Sequence, residues 1–178
     1  MVMLDELQVL VKAVLGERAS NVWIENGALI ARVPTELIVH VLTALRDDER
    51  LGFGVLSYMT ASDYSPRLPR FELVYDLYSL KLCERLRVKC DLEDTGSEEE
   101  LPEVDTATGV YLAALWHERE CYDLMGIRFR GHHDLRRIVL PDRWDGHPLR
   151  KDYPFDGKRV WRLGCTVVDS ARNVNLGL

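Results

Sequence analysis

The residue types best suited to chemistry lie in one run, His117-Glu118-Arg119-Glu120-Cys121-Tyr122-Asp123. His117-Glu118 begins like a zinc-peptidase helix, in which two histidines one turn apart hold the metal and the glutamate activates water. The second histidine is absent, and His132, His133 and His147 lie in sequence with no helical frame. Glu118 and Glu120 fail as an acid/base pair, because residues two apart on a helix project to nearly opposite sides. No serine sits in a G-x-S-x-G turn, and Cys121 has only His117 one turn before it as a base. Gly52-x-Gly54 lacks the third glycine of a dinucleotide loop, and there is no Walker A sequence. The four cysteines, Cys83, Cys90, Cys121 and Cys165, form no C-x-x-C pair. The expectation is a chain with no catalytic residue, no metal and no cofactor of its own.

The element that positions this run reads as one helix from Thr106 to Met125, with Asp105 as N-cap and Gly126 as its stop. Tyr111, Ala114, Leu115, Glu118, Tyr122 and Met125 recur every three or four residues, so Glu118 falls inside an apolar stripe. A neighbouring line carries Leu112, Trp116, Arg119 and Asp123, the last two one turn apart and able to meet. Buried carboxylates need cations or hydrogen-bond donors. Arg136, Arg137 and Arg150 follow closely enough to supply them, so Glu118, Arg119, Glu120 and Asp123 are expected to be structural ion-pair residues that dock the helix on the tail. Past Gly126 the pattern is broken by Gly131, Pro141, Gly146, Pro148, Pro154, Gly157 and Gly164. About fifty residues without a clear element are unusual in a compact domain. They hold Ile138, Val139, Trp144, Leu149 and Trp161 with no pattern able to bury them, which predicts a partner-bound segment.

Upstream, 178 residues with 47% hydrophobic and 29% charged content describe a globular chain. No apolar run is long enough to span a bilayer. The opening Met-Val-Met-Leu-Asp-Glu lacks the basic and apolar regions of a leader, so the expected location is a cytoplasm. Charge is divided: 12 basic and 23 acidic residues up to Met125 are followed by 11 basic and 6 acidic ones. The tail arginines are spread along the segment rather than clustered on a helix face or in one basic block, which suits a protein partner better than nucleic acid. Leu4, Leu7, Val11, Val14 and Leu15 mark a first helix. Asn21–Glu25 and Ala28–Val33 flank Asn26-Gly27, the signal of a type I′ hairpin. Pro34 fits the first position of a second helix carrying Leu37, Ile38, Val41, Leu42 and Leu45. Strands follow at Leu51–Met59, around Phe71–Tyr78 and around Arg85–Leu92. Their alternation predicts a wet face opposite a buried one. The acidic run from Glu93 to Glu100 reads as a solvated loop. The predicted class is α+β: a two-layer domain (1–126) whose mostly antiparallel five-stranded sheet is covered by helices on one face, then a long helix and an extended basic tail (127–178) that binds a partner.

Three consecutive blocks carry a resemblance: Trp116 to Ile127, Gly131 to Ile138, and Leu140 to Pro154. Together they resemble the signature of the 30 kDa-type subunit of complex I, the C subunit of respiratory NADH-quinone oxidoreductase. Thr60–Tyr64, Arg70–Tyr75 and Leu86–Lys89 extend the likeness to the central strands. His133 and Met125 depart from the pattern, which has Pro and Phe there, and affect only local packing. The resemblance implies a structural subunit of the hydrophilic arm, packed on the quinone-site D subunit and on neighbouring arm subunits. Its implied place is the cytoplasmic side of the inner membrane, with membrane contact only through the complex. FMN and iron-sulfur clusters are then expected in the complex and none in this chain. The matching residues that would be structural or partner-binding are Trp116, Glu118, Arg119, Glu120, Asp123, Gly126, His132, Arg136, Arg137, Pro141, Trp144, Gly146, Pro148, Leu149, Arg150, Lys151, Asp152 and Tyr153. Ferredoxin-linked and hydrogenase complexes contain similar subunits, so the electron donor is not set by this chain. A stand-alone small metalloenzyme using His117, Glu118 and Cys121 is the enzymatic alternative, and a nucleic-acid-binding module built on the basic tail is a third reading.

Overall fold

Asn26 and Gly27 take positive φ angles of 50° and 76°. That permits the tight turn joining β1 (Asn21–Glu25) to β2 (Ala28–Arg32) in antiparallel register. The computed structural model describes residues 3–94, 100–154, 161–163 and 166–168. Before the hairpin, α1 (Leu4–Leu15) buries Leu7, Val11 and Leu15 at helical spacing. After it, Pro34 is extended (ψ 142°), and a 3₁₀ turn at Thr35–Leu37 leads into α2 (Ile38–Asp47). Pro34 is thus not the first helical residue. The Thr35 hydroxyl donates to the Asp91 carbonyl at 2.5 Å and holds the entry to the strand beside it.

Three longer strands complete the sheet: β3 (Val55–Asp63), β4 (Phe71–Ser79) and β5 (Glu84–Leu92), in the order β1-β2-β5-β4-β3. All neighbours are antiparallel except β2 and β5. This is the α+β class with a mostly antiparallel five-stranded sheet. The strand expected at Leu51–Met59 starts four residues later, because Leu51 and Phe53 are buried in the turn leading to it. A register shift between Leu56 and Tyr58 then lets both Leu56 and Met59 face the core, which strict alternation forbids.

One face of the sheet buries Phe71, Leu73, Tyr75, Leu77, Leu86, Val88 and Cys90 in one core with α1 and α2. The opposite face, expected to be wet, is roofed by its own ion pairs. Glu72 receives Arg32 at 2.6 Å and Lys89 at 2.9 Å, Asp76 receives Arg87 at 3.0 Å, and Arg32 also pairs with Asp91. Glu72 and Asp76 are consequently buried.

The third helix, α3 (Ala114–Met125), lies against β3 and begins eight residues later than expected. Asp105 is not its N-cap. It ends a short strand β6 (Glu103–Asp105), pairs with Arg130 at 2.9 Å, and lies parallel to β7 (Arg128–Arg130) just beyond the helix. Val104 and Phe129 face each other there and are both buried. The tail therefore has regular structure where none was expected, and further on β8 (Trp161–Leu163) pairs with β9 (Thr166–Val168). No helix among the described residues is long and apolar enough to cross a membrane.

Candidate partner-docking site

Asp123, fully buried near the end of α3, organises the tail. Its Oδ2 accepts three consecutive backbone N–H groups, from Ile138 (3.0 Å), Val139 (2.8 Å) and Leu140 (2.8 Å). Its Oδ1 takes the Arg137 guanidinium at 2.6 Å. Burial opposes the charge, but these amides and Arg137 hold the carboxyl below the usual aspartate range. Arg137 also donates to the carbonyls of Asp123, Trp144 and Gly146, so one side chain closes the loop from 137 to 146. His147 Nδ1 lies 2.9 Å from the Asp123 carbonyl. Its ring covers Gly126, the left-handed helix stop (φ 67°), so closely that an added Cβ would lie 2.5 Å from it. Arg119 does not meet Asp123. Its guanidinium lies over Trp116 at 5.3 Å and donates to the carbonyls of Arg136 and Arg137.

Glu118 differs from the expectation that a tail arginine would neutralise it. It is wholly buried, and its partners are neutral: the Thr106 hydroxyl at 2.5 Å and the Ala107 amide at 2.6 Å. Burial, only partly offset by these donors, pushes its carboxyl up to about 7. The late start of α3 follows from this, since a helix running from Thr106 could not fold those donors back onto Glu118. Glu120 is half-buried.

Arg150, expected near the helix, instead joins a cluster at the end of the sheet. Arg70 pairs with Asp63 (2.8 Å), Asp94 (2.6 Å) and Asp152 (2.9 Å). Arg150 pairs with Asp94 at 3.3 Å and Asp152 at 3.5 Å. Both guanidinium groups lie near the Phe71 ring, at 4.8 and 5.2 Å. The Lys151 amide donates to Asp63 at 2.8 Å, and its ammonium reaches the Ser65 carbonyl. Burial works against the Asp63 charge, yet Arg70 and the Lys151 and Ser65 amides hold its pKa down to about 2. Asp63, Arg70 and Asp94 escape a reading of the sequence alone. The available signal is opposite charges ending adjoining strands on either side of the Ser65–Pro69 turn.

The remaining expected residues gather around these anchors. His132 Nε2 meets the Leu115 carbonyl at 3.1 Å, and the Trp144 amide donates to the Pro141 carbonyl at 2.9 Å. Trp144 stacks on Tyr153, and the Leu149 amide donates to the Leu124 carbonyl. Arg136 stays at the surface with Asp134, and Pro148 is half-buried. With the charges turned inward, apolar side chains are left outside: Leu112 (81% exposed), Trp116 (60%), Ile138, Val139 (60%) and Leu149 (59%). Among the described residues no three His, Cys, Asp or Glu side chains form a group able to hold a metal ion.

Known proteins share this chain's pattern. The family described as "Respiratory-chain NADH dehydrogenase, 30 Kd subunit" matches residues 31–159. A C subunit of NADH-quinone oxidoreductase from Rhizobium meliloti (strain 1021), the one numbered 2, is 44% identical over 142 residues, covering 80% of this chain and 75% of its own length. The C subunit of the same oxidoreductase from Geotalea uraniireducens (strain Rf4) is 50% identical over 132 residues, covering 74% and 76%. Among solved structures, the trypsin-resistant fragment (1-134) of Nqo5 superposes with a TM-score of 0.57 at 29% identity, covering 72% of this chain and 98% of that one. A chain of the membrane-bound sulfane sulfur reductase, an archaeal respiratory membrane complex, reaches 0.71 at 25% identity, covering 84% and 86%. The family match runs through β3, β4 and β5, α3 and the entire Asp123 clamp, and the chain belongs to the 30 kDa subunit family of respiratory-chain NADH dehydrogenase.

Proposed function

We propose that this chain is a non-catalytic, hydrophilic-arm subunit of a proton-translocating NADH:quinone oxidoreductase. On this reading it docks on the quinone-site subunit through α3 and the tail to Tyr153, on the cytoplasmic side of the inner membrane, peripherally and without a span of its own. Electrons pass from NADH through FMN and iron-sulfur clusters in other subunits to quinone, while this chain keeps the arm assembled. The observation that carries the reading is the inverted tail. Asp123 and Arg137 are satisfied inside, while Ile138, Val139 and Leu149 are exposed, and Trp116 is exposed on the side not covered by Arg119.

Changing Ile138 and Val139 to Asp tests it. Assembled complex in membranes is expected to fall at least about tenfold, in keeping with the loss of a buried interface anchor. Flavin-normalised quinone reduction by what remains should be unchanged. Normal assembly with turnover lost contradicts a docking role. The likeness to the sulfane sulfur reductase chain favours a second reading, the same role in a related complex with a different donor or acceptor. Whether NADH or reduced ferredoxin bleaches the purified complex separates the two.

A further inference from the structure

Glu118 is a carboxyl without a counter-ion among the described residues, in a domain that pairs its other buried carboxylates, Glu72, Asp76 and Asp123. Its Oε2 is 2.5 Å from the Thr106 hydroxyl, which is 2.9 Å from the Thr108 hydroxyl, and the Thr108 amide donates to Thr106 Oγ1 at 3.2 Å. Both threonines are partly exposed, so this short row of hydroxyls connects a fully buried carboxyl to solvent. We propose that Glu118 is a proton-binding site, which loads and releases one proton through Thr106 and Thr108.

Each state of the row satisfies every hydroxyl. With the proton bound, Glu118 Oε2–H donates to Thr106 Oγ1, and the Thr106 hydroxyl donates to Thr108. With the proton released, each hydroxyl has taken its neighbour's proton and passed on its own, so Thr108 donates to Thr106, Thr106 donates to the carboxylate, and one proton has passed from Thr108 to water. The Ala107 amide donates to Oε1 throughout. Among the described residues the surroundings offer no cation to fix the ionised state. From β4 comes Tyr75, whose buried hydroxyl has no partner among the described residues, and from α3 itself the Cys121 thiol, with His117 and Glu120 half-buried nearby in sequence. Arg130 and Arg128 beside Thr106 are committed to Asp105 and Glu103, and on β3 Asp63 is held by Arg70. His132 is bound to the Leu115 carbonyl, and Arg119 to those of Arg136 and Arg137.

The folded carboxyl's pKa near 7 exceeds its ordinary value of 4.5, so the folded chain holds more protons than the unfolded one between these pH values. Stability is therefore full below the unfolded value and is lost as pH rises through about 7.

Two measurements on the full-length chain decide the matter. In infrared titration, the protonated-carboxyl band absent from Glu118→Gln should persist in the wild type past about pH 5 and vanish with a midpoint near 7. A band gone by about pH 5 overturns the proposal. In urea unfolding from about pH 5 to about pH 8, the wild-type folding equilibrium constant should fall on the order of a hundredfold, while that of Glu118→Gln stays level. An equal slope in both proteins overturns it. Thr106→Val removes the donor that favours the charged form, so its midpoint should move upward, and an unmoved midpoint removes Thr106 from the path. Should Glu118→Gln fail to fold, an isotope-edited glutamate band in the wild type and in Thr106→Val carries the same decision.

Discussion

The sheet core and the tail solve opposite problems with opposite residues. Under α1 and α2, Leu7, Leu42, Leu45, Phe71 and Tyr75 are buried and make one contiguous apolar cluster. From Gly131 to Tyr153 the interior is polar: Asp123, Arg137, Arg119 and a set of carbonyls and amides, with Ile138, Val139 and Leu149 outside. A core of the first kind draws stability from area and tolerates a local loss by partial collapse. An arrangement of the second kind depends on single ions, each with several partners, because an abandoned buried charge has no apolar substitute.

That contrast can be broken at Asp123. Asp123→Ala should cost about 3–5 kcal/mol by stranding Arg137 and three amides. The damage should be local: hydrogen exchange should rise at Ile138, Val139 and Leu140 while β4 and β5 stay protected. Uniform loss of protection would make the tail part of the core's cooperative unit and erase the distinction. Leu42→Ala should cost about 2–4 kcal/mol in urea unfolding and weaken sheet and tail together, since it acts on the cluster beneath both. Gly126→Ala meets both a left-handed backbone and the His147 ring, and should cost roughly 1–2 kcal/mol with tail exchange rising first. At the sheet end the sign runs with acid. Asp63 has its pKa held down to about 2, so the stability it lends is present above the ordinary aspartate value and is lost as pH falls toward 2. Accelerated exchange of the Lys151 amide, corrected for intrinsic rate, should track that fall. Ile138→Ser should be the smallest change, within about 0.5 kcal/mol in the isolated chain, although the same side chain is proposed to matter for assembly.

How far sequence reasoning reaches follows the same division. The β1–β2 hairpin is legible in Asn26-Gly27, and α1 and the core face of α2 in apolar spacing, because those signals are local. The roofing of the second sheet face is not, because alternation marks Glu72, Asp76, Arg87 and Lys89 as polar without showing that they pair across strands. The start of α3 is hidden because Thr106 and Ala107 are held by Glu118, twelve and eleven residues away, and by the parallel partner β7. At the candidate site, the need of Asp123 for a tail arginine is readable and Arg137 meets it. The same reasoning misassigns Glu118, which is satisfied by neutral donors, and Arg150, which goes to Asp94 and Asp152. Spacing tells that a carboxylate is buried and not whether it keeps its charge.

The three amides gathered on Asp123 Oδ2 also bear on how such a protein is admitted to a larger assembly. Ile138 and Val139 are held outward by their own backbone N–H groups, and these find their acceptor only when the last turns of α3 are in place. A chain whose helix has not finished forming has no fixed surface to offer, however sticky it is. Under the docking reading, the carboxylate acts as an inspection step: recognition by the neighbour reports that folding is complete.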